Sequence, residues 1–132
     1  MDRYLDTCAS GPTWLVREEI ARIVVDALHY GAETLDYYDL YAYVVMANHV
    51  HVLVTPHVQP VKLLQSVKGF TAREANKMLG RVGEAFWQAE SYDHYVRNAA
   101  EWDRIRRYIE ENPVRAGLVR SPEEYRWSSA HA

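Results

Sequence analysis

The sequence predicts an α+β domain, and three observations carry that prediction. Residues 41–55, YAYVVMANHVHVLVT, are rich in β-branched and aromatic side chains and break only at Ala47-Asn48, the pattern of two strands joined by a short turn. Two other segments repeat apolar residues at helical spacing, and a third opens with a helix-capping pattern. Glycine and proline signals separate these segments.

From the N-terminus, residues 1–15 show no clear period, and Gly11-Pro12 marks a turn. Residues 18–30 read as a helix, with Ile20, Ile23, Val24, Ala27 and Leu28 on one stripe. Glu18 and Glu19 suit its positive N-terminal end, and Gly31 is its expected stop. The strands of the hairpin are expected at 40–46 and 49–55. Pro56 ends the second strand and Pro60 opens a helix over 61–79. Residues 84–95 are aromatic-rich, holding Phe86, Trp87, Tyr92 and Tyr95. Asn98 is placed to cap a last helix over 99–111, with Glu101 completing a capping box. Asn112-Pro113 is expected to break it.

The chain has 132 residues, the size of one domain with one real core. Its single cysteine, Cys8, forms no internal disulfide and suggests a reducing compartment. No apolar run is long enough to span a bilayer and no signal-peptide pattern opens the chain, so a cytoplasmic location is expected. The net charge of −3 does not advertise a nucleic-acid partner. Its distribution is uneven: residues 1–61 carry 3 Lys+Arg and 8 Asp+Glu, whereas residues 62–120 carry 11 and 8. The second segment can meet phosphates, although a mixed solvated surface explains the same numbers. Lys62, Lys68, Arg73 and Lys77 on the helix over 61–79 have the same two readings.

Two features can carry chemistry. His49 and His51 are two apart on a strand and so share a face, while Val50 and Val52 point the other way into a core. Two neutral imidazoles aimed one way can bind a divalent metal; without one, they are a buried and an exposed histidine. Tyr108 and Asn112 are four apart on one face of the last helix. On spacing alone they read as a packed aromatic and a helix cap. A tyrosine can also attack phosphorus when a metal offsets charge on the phosphate, and Asn112 can complete a mixed nitrogen and oxygen shell suited to Mg²⁺ or Mn²⁺.

The ordered segments VVMANHVHVLVTP, FTAREANK, FWQAESYDHYVRN and RYIEENPVRAGLV, with YRWSSA near the end, resemble the single-tyrosine HUH transposases. The resemblance is to the IS200-like group, and within it to the branch associated with repetitive extragenic palindromes in bacteria. It implies a ferredoxin-like antiparallel sheet backed by helices, and a homodimer. It implies that His49 and His51 hold a divalent metal, Mg²⁺ or Mn²⁺, that Asn112 is a third ligand, and that Tyr108 is the nucleophile. His94 falls on a further family histidine and is expected near the site. The implied reaction is cleavage and rejoining of single-stranded or hairpin DNA through a 5′-phosphotyrosine, in bacterial cytoplasm at the nucleoid. Trp87 or Tyr92 can stack on unpaired bases, or be core.

Only residues 1–10 precede the matching segment, and MDRYLDTCAS does not read as a strand. The first strand is therefore expected to be shortened or missing, and the open edge of the hairpin to pair with a second copy. A non-catalytic hairpin-binding remnant is the alternative function; a zinc hydrolase or metal-storage domain has only the histidine pair in its favour.

Overall fold

The computed structural model describes residues 1–131. Its elements are β1 (Arg3–Ala9), a 3-10 turn (Trp14–Val16), α1 (Glu18–Glu33), β2 (Tyr38–Val45), β3 (His49–Pro56), α2 (Pro60–Leu79), β4 (Trp87–Tyr95), α3 (Ala99–Arg115) and a second 3-10 turn (Pro122–Glu124). The strands form one four-stranded sheet in the order β2-β3-β1-β4, with every neighbouring pair antiparallel. Helices lie on either face, the ferredoxin-like α+β arrangement that the resemblance implies. No helix among the described residues is long and apolar enough to cross a membrane.

The N-terminal segment is the main correction. Arg3–Ala9 form a complete strand, and it is central, paired with β3 on one side and β4 on the other. Its composition is a poor strand signal, but two neighbours supply ladder bonds on both edges, and tertiary pairing overrides propensity. The alternation is orderly. Leu5 and Ala9 enter the larger core with α1 and α2, while Tyr4 packs against the smaller core under α3. The larger core also takes Val50, Val52 and Val54 of β3; the smaller takes Leu53 of β3 and Ala42 and Val44 of β2.

The outer edge of the hairpin, where a second copy was expected to pair, is covered over part of its length. The chain's own tail occupies its Tyr43–Val45 end: Val45 N–H donates to the Trp127 carbonyl (2.9 Å) and Ser129 N–H to the Tyr43 carbonyl (3.0 Å). The Tyr125 hydroxyl donates to the Val45 carbonyl at 2.6 Å. Covering an edge in this way removes the unpaired groups that would recruit another strand.

Two helices run past their expected ends. Gly31 does not stop α1, which continues to Glu33. The glycine is there for close approach: a Cβ at residue 31 would lie 2.5 Å from the Tyr38 hydroxyl oxygen. Tyr38 is fully buried and donates to the Leu28 carbonyl at 2.6 Å. Gly31→Ala should therefore displace a packed ring and break a buried hydrogen bond, costing about 2–3 kcal/mol in a denaturant titration; an unchanged midpoint would contradict this packing.

Pro113 does not break α3, which runs to Arg115. The proline lacks the N–H that would bond the Ile109 carbonyl, so α3 continues through Pro113 with one backbone bond fewer. The exit follows at Gly117, whose φ of 76° lies in the left-handed region and whose N–H donates to the Val114 carbonyl at 3.0 Å. The extra turn matters because it carries Arg115 onto the face of Tyr108, seven residues earlier.

Candidate active site

The site lies on the α3 side of the sheet. One cross-strand row runs Val44, His51, Asp6, Tyr92 over β2, β3, β1 and β4, and the row beside it runs Ala42, Leu53, Tyr4, His94. Directly paired residues project to the same face. α3 packs over β2 and β3, so the β1–β4 half of this face stays open. The opening is a cleft of about 770 Å³ lined by Tyr4, Asp6 and Tyr92 from the sheet and by Arg104, Tyr108 and Arg115 among others from α3.

His51 is buried, 3% exposed, at the floor. Burial, then His49 and then Arg115 push its pKa down to about 4, so the ring is neutral at pH 7. The His49 ring stands at 80° to it with centroids 4.6 Å apart. Each ring has its Nδ1 engaged. His49 Nδ1 meets Asn48 Oδ1 at 2.9 Å, and His51 Nδ1 meets the Tyr4 hydroxyl at 2.7 Å. The His51 Nε2 atom is buried with no partner among the described residues. The turn that presents the pair is held in place: Ala9 N–H donates to the Asn48 carbonyl (2.6 Å) and Leu15 N–H to the Ala47 carbonyl (3.1 Å).

Tyr108 is 47% exposed, and its ring centroid lies 5.8 Å from that of His51 at 84°. The Arg115 guanidinium lies over this phenol at 4.5 Å, and its Nη2 donates to the Tyr108 carbonyl at 2.7 Å. The structure thus brings Tyr108 and the histidine pair together. Asn112 follows one turn after Tyr108, half-buried, but the cleft wall passes Tyr108, Glu111 and Arg115 rather than Asn112.

The arrangement fits a divalent metal in one respect and leaves it open in another. Two rings with bonded Nδ1 atoms, one with a bare buried Nε2, are the form of histidine that ligates a metal. Among the described residues, no three His, Cys, Asp or Glu side chains converge into a cage. A third ligand must come from another residue type, such as the Asn112 amide, or from water, which Mg²⁺ and Mn²⁺ sites commonly retain.

His94 lies next to the site and acts on α3. Its Nε2 meets Glu101 Oε1 at 3.0 Å. Glu101 also accepts from the Arg97 backbone N–H (2.8 Å) and from Arg97 Nη2 (2.9 Å), and Asn98 Oδ1 caps the Glu101 N–H at 2.9 Å. The expected capping box is thus displaced by one residue, since Glu101 reaches Arg97 rather than Asn98. The Arg97 side chain chiefly, then its backbone N–H, then His94, hold the Glu101 pKa down to about 2, and the carboxylate pins the start of α3 to the end of β4.

Trp87 is core, not a stacking platform: it is buried, and its Nε1 donates to Thr71 Oγ1 at 2.9 Å. Tyr92 is exposed in the cleft. Lys68 bonds the Gln88 carbonyl and Ser91 Oγ at 3.0 and 3.1 Å, tying α2 to β4 on the face opposite the cleft. The sequence reading missed Tyr4, Asp6 and Arg115. The first two had a signal in the alternation Tyr4-Leu5-Asp6-Thr7, and the third had one in its seven-residue spacing from Tyr108.

The IS200-like transposase family model matches residues 15–112. No curated protein matches the chain. Among solved structures, a REP-associated tyrosine transposase bound to a REP hairpin superposes with a TM-score of 0.72 at 18% identity, covering 98% of this chain and 76% of that one. A proposed transposase from Deinococcus radiodurans R1 superposes with a TM-score of 0.60 at 23% identity, covering 84% and 89%. Both likenesses are in the fold. The family match spans most of the chain and includes the histidine pair, Tyr108 and Asn112: this protein belongs to the IS200-like transposase family.

Proposed function

We propose that this chain cuts and rejoins hairpin-bearing single-stranded DNA at Tyr108, within the cleft between α3 and the open half of the sheet. The observation that carries this reading is the meeting of Tyr108 with the His51 ring at 5.8 Å on the wall of a cleft that also holds Arg104, Arg107 and Arg115. The chain is net −3, yet this wall of α3 concentrates cations where a phosphate backbone would pass.

The Tyr108 oxygen attacks the scissile phosphorus in line. The new bond is phosphorus to phenol oxygen, and the bond that breaks is phosphorus to the 3′ oxygen. The phenol proton is lost to solvent, and the departing 3′ oxygen takes up a proton to become a hydroxyl. The 5′-phosphotyrosine keeps the energy of the broken bond, so a 3′-hydroxyl can reverse the step and join a different strand. His49, His51 and Asn112 would hold a divalent cation such as Mg²⁺ or Mn²⁺, which would supply positive charge to offset that on the phosphate. Arg115, over the Tyr108 ring at 4.5 Å, holds it in place. Tyr92, exposed on the sheet floor, offers a surface for an unpaired base.

The hairpin preference follows from the family resemblance and from the REP-hairpin complex that shares this fold. On this reading the protein works on bacterial DNA in the cytoplasm. The family resemblance also implies a homodimer. With the Tyr43–Val45 end of the β2 edge covered by the tail, β4 is the more open sheet edge for a second copy, and light scattering at micromolar concentration reads the stoichiometry.

The test compares three labelled DNAs with Mn²⁺: a REP-like hairpin with a single-stranded flank, the flank alone, and a full duplex. Cleavage of the first, with at least about tenfold slower cleavage of the others, is the expected result. Equal cleavage of all three would remove the hairpin preference, and binding without cleavage of any would make the chain a non-catalytic hairpin binder.

A further inference from the structure

The strand that the sequence concealed places two side chains behind the catalytic histidine, and they define its chemical form. A neutral imidazole carries one N–H, on either nitrogen, and only the other nitrogen can bind a metal. For His51 the choice is constrained on both sides. Nε2 is buried with no acceptor among the described residues, so a proton there would be an orphaned donor. Buried orphan N–H groups are rare and cost about 1–3 kcal/mol. Nδ1 meets the Tyr4 hydroxyl oxygen at 2.7 Å and has Asp6 Oδ2 at 3.7 Å.

We infer that Tyr4 and Asp6 on β1 are positioning residues that lock His51 with its proton on Nδ1 and its Nε2 lone pair aimed at the cation. The inference rests on the metal reading above. The Tyr4 oxygen accepts the Nδ1–H, and the Tyr4 ring stacks on the imidazole at 5.8 Å and 21°, fixing its plane. Asp6 is too far for a hydrogen bond, but a carboxylate on the Nδ1 side stabilises a proton there and raises the basicity of the far nitrogen. Asp6 stands directly opposite His51 in the β1–β3 register. Its Oδ1 is buried without a partner among the described residues, so the backbone, not a bond of its own, sets where this carboxylate sits. His49 has a parallel support, Asn48 Oδ1 on its Nδ1. The pair is therefore oriented by two different neighbours, one from the turn and one from a strand distant in sequence.

The test needs no DNA. Mn²⁺ affinity is measured by calorimetry for the wild type, Y4F, D6N and H51A, and the His51 tautomer is assigned by imidazole nitrogen NMR in the metal-free protein. The wild type should show the Nδ1–H form. Y4F should populate the Nε2–H form, and Y4F and D6N should each bind Mn²⁺ about 10–100-fold more weakly. Wild-type protein that binds Mn²⁺, loses it in H51A, but holds it within threefold in Y4F and D6N would overturn the inference and leave the metal site standing. Wild-type protein that binds no Mn²⁺ would overturn both. If a variant fails to fold, the wild-type tautomer decides alone: an Nε2–H His51 contradicts the inference.

Discussion

Tyr108→Phe should abolish DNA cleavage while leaving hairpin binding within about threefold. The substitution keeps the ring that packs against His51 and Arg115 and removes only the attacking oxygen. Deleting a nucleophile costs about 10⁴–10⁶-fold in single-turnover rate, because what remains is binding and charge stabilisation without a covalent route. The fold should be indifferent, since Tyr108 is half exposed and its side chain is not part of the core. A covalent adduct that survives in Y108F would move the nucleophile elsewhere. Tyr92 would then be the first candidate, because it lines the same cleft. Tyr95 lies under the Arg3 guanidinium at 3.5 Å, outside the cleft-lining set.

The second large effect is on metal binding. His49→Ala with His51→Ala should eliminate Mn²⁺ binding by calorimetry, since both imidazoles that present nitrogen to the site are gone. Cleavage should fall with it, and excess Mn²⁺ should not restore it. Unchanged calorimetric binding in the double variant would rule out this site. Asn112→Ala is the informative partner. Asn112 is recommended as a ligand by the family resemblance and by its α3 spacing from Tyr108, and its loss separates a three-residue shell from a two-histidine shell completed by water.

What the sequence showed and what it hid have physical reasons. The hairpin was legible because β3 obeys period two, with valines to one core and histidines to the other face. Placing Tyr108 and His51 together was within reach of family likeness, but not of spacing, because their contact is long-range. β1 was hidden because its stability comes from neighbours on both edges rather than from its own residues. Its loss from the reading also removed Tyr4 and Asp6 and suggested a dimer route along an edge that the chain's own tail partly covers. Gly31 and Pro113 misled in the same way. Each is a helix-ending signal in isolation, and each is overridden by its local packing: Tyr38 against Gly31, and burial of the Pro113 ring. The second override had a cost for function, since ending α3 at residue 111 takes Arg115 away from the nucleophile.

The most direct measurement is a peptide map of the covalent complex. Wild-type protein is incubated with Mn²⁺ and a REP-like hairpin oligonucleotide with a single-stranded flank, denatured, digested with nuclease and protease, and read by mass spectrometry. The account predicts a nucleotide 5′-phosphate attached to Tyr108, an adduct that is absent without Mn²⁺ and absent from the His49→Ala, His51→Ala protein. Cleaved DNA with no protein adduct, or an adduct on any other residue, would contradict it.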